Sequence, residues 1–441
     1  MQKMFLSLIA CLAACGLFAA PDEVEMKESV PFTVRGGLPN FAAKLKAGEP
    51  VTVVYFGGSI TEQNGWRVQS ADFLRQLYPN SKISPVNAAI GGTGSDLGAF
   101  RLAHDALTHK PDLVFVEFAV NDGGAKPERI RKAMEGIVRQ IRKALPECDI
   151  CFVYTVTKAN LKDYQAGKLP ASASVMEGIA EYYNLPTVNI SYEVAKLEKE
   201  GKLVMAASDK GVTRVSGDEL DALAKVPRTA DGKIVFSGDG VHPYAETGHV
   251  IYTNALKAAM PVLFEAGKPG AYKLPAPLFA GNWENTAALP LDTPGIKLSG
   301  DITLLPDDNA VARQFARRLP KIWKLGSGAS IEFKFKGSKV MFYDLLGPDC
   351  GTLEVTLDGE TRELRRFDAY CTYRRLGIGG IGDNLDPAAV HTVKITATGK
   401  SFDKRAILFE RNRADFDKDN AKYAPFVNYI GTIFLVGELV Q

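Results

Sequence analysis

The chain has 441 residues, more than one domain of typical size, so two domains or one large domain with additions are expected. Apolar residues make up 46% of it and charged residues 24%, which excludes the disordered and disulfide-scaffold classes. The 53 basic and 51 acidic residues leave a net charge of +2, so no nucleic-acid partner is expected. After residue 20, no apolar run is long enough to span a bilayer.

Residues 1–20 have the pattern of a secretory signal peptide. Lys3 is their only charged residue, and an apolar stretch over residues 4–14 follows it. The sequence LAACG around Cys15 is similar to a bacterial lipobox, in which Cys15 would carry a lipid anchor. Ordinary cleavage near Ala19 or Ala20 is the alternative. The pattern predicts export, with the mature protein periplasmic, attached to the outer membrane as a lipoprotein, or extracellular.

Residues 30–268 are predicted to form a three-layer α/β/α domain with a parallel, flavodoxin-like sheet. Continuous apolar runs of the kind buried on both faces of a parallel sheet alternate with amphipathic helical patterns, which indicates βαβ units. Between residues 187 and 236 the pattern weakens, which suggests an insertion or a lid. The clearest strand-like runs are 51–56, 113–118 and 150–156, and the clearest helical pattern covers 127–145.

Residues 275–441 are predicted to form an all-β sandwich domain. Several prolines between residues 261 and 277 mark a linker, and short segments that alternate with period two follow it. The dipeptide Asp358-Gly359 directly after one of these segments is a hairpin signal. The alternating segments include 331–335, 353–357 and 391–396.

Four loops at the ends of predicted strands of the first domain carry residues suited to acyl transfer. Ser59 follows the first strand, Gly92 lies in a glycine-rich turn, and Asn121 follows the strand that begins near residue 113. Asp239 and His242 share a later loop. Because ligands bind outside the carboxyl ends of parallel strands, we expect these loops to meet at one edge of the sheet. Together they supply a nucleophile, oxyanion donors, and a base with its orienting carboxylate.

This set resembles the SGNH hydrolases, also called the GDSL esterase/lipase family, which have four short blocks in fixed order. The resemblance implies that Ser59 is the nucleophile and that Asp239 and His242 are the acid and base. It also implies an oxyanion hole formed by the Ser59 and Gly92 N–H groups and the Asn121 amide.

The resemblance covers about residues 48 to 260. The first block departs from the family because Gly58 stands where aspartate is usual, and Ala119 stands where the third block has glycine. Neither change removes a reacting group. Whether Gly91 or Gly92 supplies the backbone donor stays open at this point.

Trp66 and Arg67 follow the nucleophile loop and are candidate substrate-binding residues, with a capping or packing role as the alternative. No cluster of histidine, cysteine and carboxylate residues has the spacing of a metal site, so we predict no metal and no other cofactor.

Four cysteines lie outside the predicted signal peptide. Cys148 and Cys151 fall in or beside an apolar strand and are interpreted as buried hydrophobic residues. Cys350 and Cys371 could close a disulfide in an oxidising compartment, and the sequence does not decide whether they do.

The predicted function is an exported serine esterase that removes O-acetyl or other short acyl groups from a polysaccharide or glycan. The small polar loops beside Ser59 favour acetyl groups over long chains, and resemblance to carbohydrate esterases of the family implies a glycan. The alternatives are a short-chain lipase or acylhydrolase, and a catalytically inactive glycan-binding protein. The oligomeric state stays open.

The sandwich domain is expected either to bind carbohydrate or to act as a cap that shapes the rim of the active site. Its candidate sugar platforms are aromatic side chains that could equally belong to its core. They are Trp323, Tyr343, Tyr370 and Tyr373.

Overall fold

The computed structural model describes residues 24–217 and 223–440. The predicted signal peptide and Cys15 lie outside the described residues, so signal cleavage and lipid attachment stay predictions. Among the helices of the described residues, none combines the length and the apolar character that a membrane crossing needs.

The first region is built around a six-stranded sheet in the order β1-β6-β5-β4-β2-β3. Strands β2 to β6 pair in parallel, and β1 pairs antiparallel at one edge. Both β4 and β5 are buried along their whole length, as the continuous apolar runs predicted. The strands are β1 (Phe32–Thr33), β2 (Val51–Gly57), β3 (Ile83–Asn87), β4 (Leu113–Glu117), β5 (Asp149–Tyr154) and β6 (Thr187–Asn189).

Helices cover both faces of this sheet, which confirms the predicted three-layer fold. Among them, α4, α5 and α7 pack together, while α3 and α1 pack against α9. Each apolar helix face lies against the sheet and closes one core. The helices are α1 (Pro39–Ala47), α2 (Ser59–Glu62), α3 (Trp66–Leu77), α4 (Ser95–Asp105), α5 (Pro127–Ala144), α6 (Leu161–Gln165), α7 (Ala171–Tyr182), α8 (Tyr192–Lys199) and α9 (Gly248–Phe264).

The segment predicted as an insertion or a lid contributes a second, small sheet in the order β7-β10-β9-β8. Its last strand leads directly into the loop that carries Asp239 and His242. The strands are β7 (Leu203–Val204), β8 (Thr213–Gly217), β9 (Leu223–Arg228) and β10 (Ile234–Val235). Whether the segment acts as a lid stays a prediction.

The C-terminal region is an antiparallel β-sandwich, as predicted. Asp358 and Gly359, with φ of 51° and 91°, form the predicted hairpin turn between β16 and β17. The strands are β11 (Thr286–Pro290), β12 (Lys297–Ser299), β13 (Ile302–Leu304), β14 (Trp323–Leu325), β15 (Ser330–Leu346), β16 (Thr352–Leu357), β17 (Glu360–Arg365), β18 (Arg375–Gly382), β19 (Val390–Ala397) and β20 (Asn428–Val440). The helices are α10 (Ala310–Phe315), α11 (Lys404–Ile407) and α12 (Arg413–Lys418).

The two regions share a hydrophobic core across their contact. Phe100 of α4 stacks on Phe434 of β20, with ring centroids 5.1 Å apart, and also packs against Trp283 at 5.6 Å. Gly136 of α5 allows this approach, because a Cβ there would lie 2.5 Å from the backbone of Trp283. The sandwich is therefore fixed against the α4–α5 face of the first region. The domain boundaries at residues 268 and 275 stay a prediction.

The four cysteines outside the signal segment are all buried and free, so Cys350 and Cys371 do not form a disulfide here. The candidate sugar platforms divide into two pairs. Trp323 and Tyr343 are buried in the packing, whereas Tyr370 and Tyr373 are exposed by 49% and 57%.

Candidate active site

Ser59 is the first residue of the short helix α2, just beyond the end of β2. The preceding Gly58 has no room for a side chain, because a Cβ there would lie 2.0 Å from Oδ1 of Asn121. The aspartate usual at this position in the family would therefore require Asn121 to move. The glycine lets the Asn121 carboxamide lie directly beside the nucleophile turn.

Ser59, His242 and Asp239 form a continuous chain of hydrogen bonds. Nε2 of His242 lies 2.9 Å from Oγ of Ser59, and Nδ1 lies 2.7 Å from Oδ2 of Asp239. The other oxygen of Asp239 accepts the backbone N–H groups of Val241 and His242, both at 2.8 Å. This carboxylate thus fixes both the ring and the backbone of the residue that contacts Ser59.

Asp239 remains ionised over the physiological pH range. Partial burial acts to raise its pKa, but the hydrogen bonds from the ring and backbone of His242 and from Val241 outweigh it and lower the pKa to about 2. A negative charge beside Nδ1 favours the tautomer in which Nε2 can accept a proton from Ser59.

The glycine-rich turn after β3 contains two candidate backbone donors, the N–H groups of Gly91 and Gly92. The N–H of Gly91 donates to Oε2 of Glu62 at 2.8 Å and is therefore already engaged. Gly92 has φ of 72°, and a Cβ there would meet nothing within 4 Å, so it borders open space. This geometry favours Gly92 over Gly91 as the backbone donor to a substrate.

Two buried carboxylates hold the loops around Ser59. Glu117, at the end of β4, accepts the hydroxyls of Thr61 and Thr155, each at 2.8 Å, and burial raises its pKa. Asp122 accepts the backbone N–H of Ser95 at 3.0 Å, which ties the Asn121 loop to the start of α4. Burial raises the pKa of Asp122 to about 7. Sequence reasoning missed Glu117, whose only signal was an acidic residue inside an apolar run.

The expectation that Trp66 binds substrate disagrees with the structure. Trp66 is fully buried and packs against Tyr55 and Phe115, with ring centroids 5.2 and 5.9 Å apart. Arg67 donates from Nε to the carbonyl of Thr61 at 3.2 Å and so holds the end of α2. The packing alternative therefore describes Trp66, and the contact of Arg67 fits the capping alternative, while substrate binding by Arg67 stays a prediction.

His249 of α9 contacts the loop between α2 and α3. Its Nδ1 accepts the backbone N–H of Trp66 at 3.2 Å, and its Nε2 lies 3.2 Å from Oε1 of Gln63. Burial, together with the positive charge of Arg67, lowers the pKa of His249 to about 3, so the ring is neutral. This residue supports the nucleophile loop without facing Ser59.

Two further features lie outside this constellation. Within residues 24–217 and 223–440, no group of three or more histidine, cysteine or carboxylate side chains has the arrangement of a metal site. A cavity of about 900 Å³ opens between α8 and α9, and Ser59, Asp239 and His242 do not line it.

A family model described as the GDSL-like Lipase/Acylhydrolase family matches residues 55–246, which include the five predicted catalytic and oxyanion-hole residues. This part of the chain belongs to that family. The match confirms the resemblance to the SGNH hydrolases and identifies the protein as a carboxylic ester hydrolase.

Two solved structures share the whole two-domain fold. One is a two-domain esterase (CEX) active on acetylated mannans, co-crystallised with mannopentaose, at 19% identity and a TM-score of 0.68, covering 95% of this chain and 100% of that one. The other is also of a two-domain esterase (CEX) active on acetylated mannans, at 18% identity and a TM-score of 0.66, with the same coverage of both chains. At this identity the likeness shows the fold alone. No curated protein matches the chain.

Proposed function

We propose that this protein is an exported serine esterase that removes O-acetyl or other short acyl groups from a polysaccharide or glycan. The observation that carries the proposal is the hydrogen-bonded chain from Ser59 through His242 to Asp239, within a GDSL-like domain. Export rests on the predicted signal peptide.

In the acylation step, Oγ of Ser59 attacks the ester carbonyl while Nε2 of His242 takes the hydroxyl proton. A neutral serine is a poor nucleophile, so this proton transfer is what activates it. The imidazolium that results is stabilised by the Asp239 carboxylate, which lies 2.7 Å from Nδ1. The same proton then passes to the sugar oxygen, and the C–O bond to the sugar breaks.

The tetrahedral oxyanion is held by the N–H groups of Ser59 and Gly92 and the carboxamide of Asn121. The engagement of Gly91 by Glu62 and the open space beside Gly92 support this choice of donors. The loss of one such donor typically lowers kcat by about 100- to 1,000-fold.

In the deacylation step, water attacks the acyl-serine while His242 takes its proton. His242 then returns that proton to Oγ of Ser59, and acetate leaves. The enzyme ends as it began, so the net change is hydrolysis of one ester bond with no cofactor consumed.

A glycan substrate is supported by the openness of the site and by the two-domain fold. The side chains of His242 and Asp239 are exposed by 40% and 52%, so an acyl group on a bulky polymer can approach Ser59. A solved structure with the same overall fold is of a two-domain esterase active on acetylated mannans.

Acetate release from acetylated mannan, acetylated xylan and p-nitrophenyl acetate tests the proposal. We expect wild type to act on at least one acetylated glycan and Ser59→Ala to release no acetate above background. If wild type hydrolyses only lipid or longer acyl esters, the acylhydrolase alternative replaces the proposal. If wild type and Ser59→Ala are equally inert on every substrate while the glycan still binds, the protein is a binding protein.

A further inference from the structure

An ion pair joins the sandwich region to the nucleophile helix. Arg318 lies between α10 and β14, and its guanidinium donates to Oε1 of Glu62, the last residue of α2. The second oxygen of the same carboxylate accepts the N–H of Gly91 at 2.8 Å. A continuous line of contacts therefore runs from the sandwich to the glycine directly before Gly92.

The Glu62 carboxylate and the Cβ of Ser59 both lie beside Gly91. A Cβ placed on Gly91 would be 2.8 Å from Oε2 of Glu62 and 3.4 Å from Cβ of Ser59. Negative charge would develop in this neighbourhood during ester hydrolysis. An uncompensated carboxylate here would oppose that charge, and the positive charge of Arg318 reduces the opposition.

A second arginine of the sandwich region holds the same turn. The guanidinium of Arg317 donates to the carbonyl of Asn87, at the end of β3. The side chain of Asn87 in turn donates to the carbonyl of Glu62 at 3.2 Å and accepts the N–H of Ala89 at 3.1 Å. The glycine-rich turn is thus held from the sandwich at both of its ends.

We propose that Arg318 is a positioning residue for the esterase reaction. It holds the Glu62 carboxylate against the Gly91 N–H, which fixes the turn that presents Gly92, and it offsets the carboxylate charge beside the oxyanion. The inference rests on the proposed function. It assigns the sandwich a part in forming the oxyanion hole, in line with the alternative that this domain shapes the active-site rim.

The contribution of this ion pair to stability is expected to be small. Arg318 and Glu62 retain 27% and 31% of their side-chain exposure, and partly exposed pairs of this kind typically contribute about 0–1 kcal/mol. A loss of activity in Arg318 variants can therefore be separated from a loss of fold.

The test compares kcat and KM on p-nitrophenyl acetate, and the melting temperature, for wild type, Arg318→Ala and Arg318→Lys. We expect kcat of Arg318→Ala to fall about tenfold, less than the loss of a whole oxyanion donor, with KM changed less than twofold. Arg318→Lys should restore part of kcat because it keeps the charge. The matched control is Lys321→Ala, three residues away, whose ion pair with Asp292 stays within the sandwich and whose loss should leave kcat unchanged.

Glu62→Gln supplies a second, independent comparison. It keeps an acceptor for Gly91 but removes the charge, so Arg318→Ala should cost less in the Glu62→Gln background than in wild type. Faster amide hydrogen exchange in the peptide that covers residues 88–92 of Arg318→Ala would report the loosened turn directly.

The outcomes separate the inference from the proposed function. If wild type is active through Ser59 but Arg318→Ala keeps the wild-type kcat, the positioning role is wrong and the esterase function stands. If Arg318→Lys is as impaired as Arg318→Ala, or the two losses simply add, the charge argument fails. If wild type itself releases no acyl group, the proposed function fails and the inference fails with it.

Discussion

A buried carboxyl group of the sandwich and two buried carboxyl groups beside the candidate site in the α/β region have different partners. In the sandwich, Asp344 and Arg366 are both buried and form a bidentate pair at 2.5 and 2.7 Å. In the α/β region, the described hydrogen bonds of the buried Glu117 and Asp122 come from hydroxyl and backbone donors, and burial raises the pKa of both carboxyls. Asp344 is thus neutralised within a pair, whereas Glu117 and Asp122 are carboxyl groups held by neutral donors next to the loops of the candidate site.

The two kinds of buried carboxyl group differ in their effect on stability and in what they hold in place. A buried charge pair holds strands together but leaves no group free to act. A carboxyl held by backbone and hydroxyl donors fixes the loops that carry Ser59 and Asn121, although its desolvation costs free energy. Burial of these carboxyl groups therefore lowers stability locally at the candidate site. The sandwich holds Arg317 and Arg318 in contact with Asn87 and Glu62 beside that site.

The largest expected effect is the loss of the acid that orients His242. Asp239→Asn should lower kcat about 10,000-fold, because an amide cannot hold the imidazole in the correct tautomer or stabilise its charged form. The melting temperature should change little, since the Asp239 side chain is half exposed. Steady-state kinetics on p-nitrophenyl acetate measure this. Asp72→Asn, at an exposed ion pair with Arg75, serves as the control.

A reduction of less than about tenfold in Asp239→Asn would contradict the assignment of Asp239 as the orienting acid, provided that Asp72→Asn behaves as wild type. It would also mean that this half-exposed carboxylate holds the backbone of its loop rather than orienting the ring of His242 for catalysis.

The next effect is on stability and concerns the sandwich. Arg366→Ala leaves Asp344 buried without its partner and should lower the free energy of unfolding by about 3–5 kcal/mol. Arg405→Ala is a matched control, because Arg405 makes the same bidentate contact with Asp417, at 2.7 and 2.8 Å, on the exposed surface. That pair should contribute far less than the buried one, because solvent screens both of its charges. Urea unfolding of both variants gives the comparison.

Equal costs for the two arginine variants would show that burial does not set the value of the sandwich pair. A reduced kcat in folded Arg366→Ala would show that this pair also affects catalysis. That result would contradict the purely structural role assigned to it.

The sequence predicted the fold and the short-range geometry of the candidate site because both follow from local patterns. Continuous apolar runs predicted β4 and β5, and the three-residue spacing of Asp239 and His242 predicted their contact. The third block predicted that Asn121 would approach Ser59, and the structure places its side chain against Gly58.

Long-range contacts could not be predicted in the same way. Arg318 and Glu62 are 256 positions apart, and nothing in either segment marks the other as its partner. The sequence left the role of Trp66 open, because the same pattern beside a nucleophile loop fits an aromatic side chain in the core and one in the cleft. Only packing against Tyr55 and Phe115 decides between the two.

The smallest expected effect is a pH dependence of stability that comes from Asp122. Burial raises the pKa of this carboxyl to about 7 in the folded protein, whereas an unfolded aspartate has a pKa of about 3.9. Folded Asp122 therefore binds its proton more tightly than the unfolded chain does. Its contribution to stability is present below about pH 4 and is lost as the pH rises towards 7.

Asp122→Asn lacks this titration but keeps an oxygen that can accept the N–H of Ser95. Because wild type loses stability from Asp122 and the variant does not, the difference should shift in favour of the variant by about 1 kcal/mol between pH 5 and 6. Urea unfolding of both proteins at the two pH values measures it, and other titrating groups cancel in the difference. A constant difference, or one that moves in favour of wild type, would mean that Asp122 is ionised throughout. The α/β region would then hold a charged carboxylate beside Asn121 rather than a protonated one.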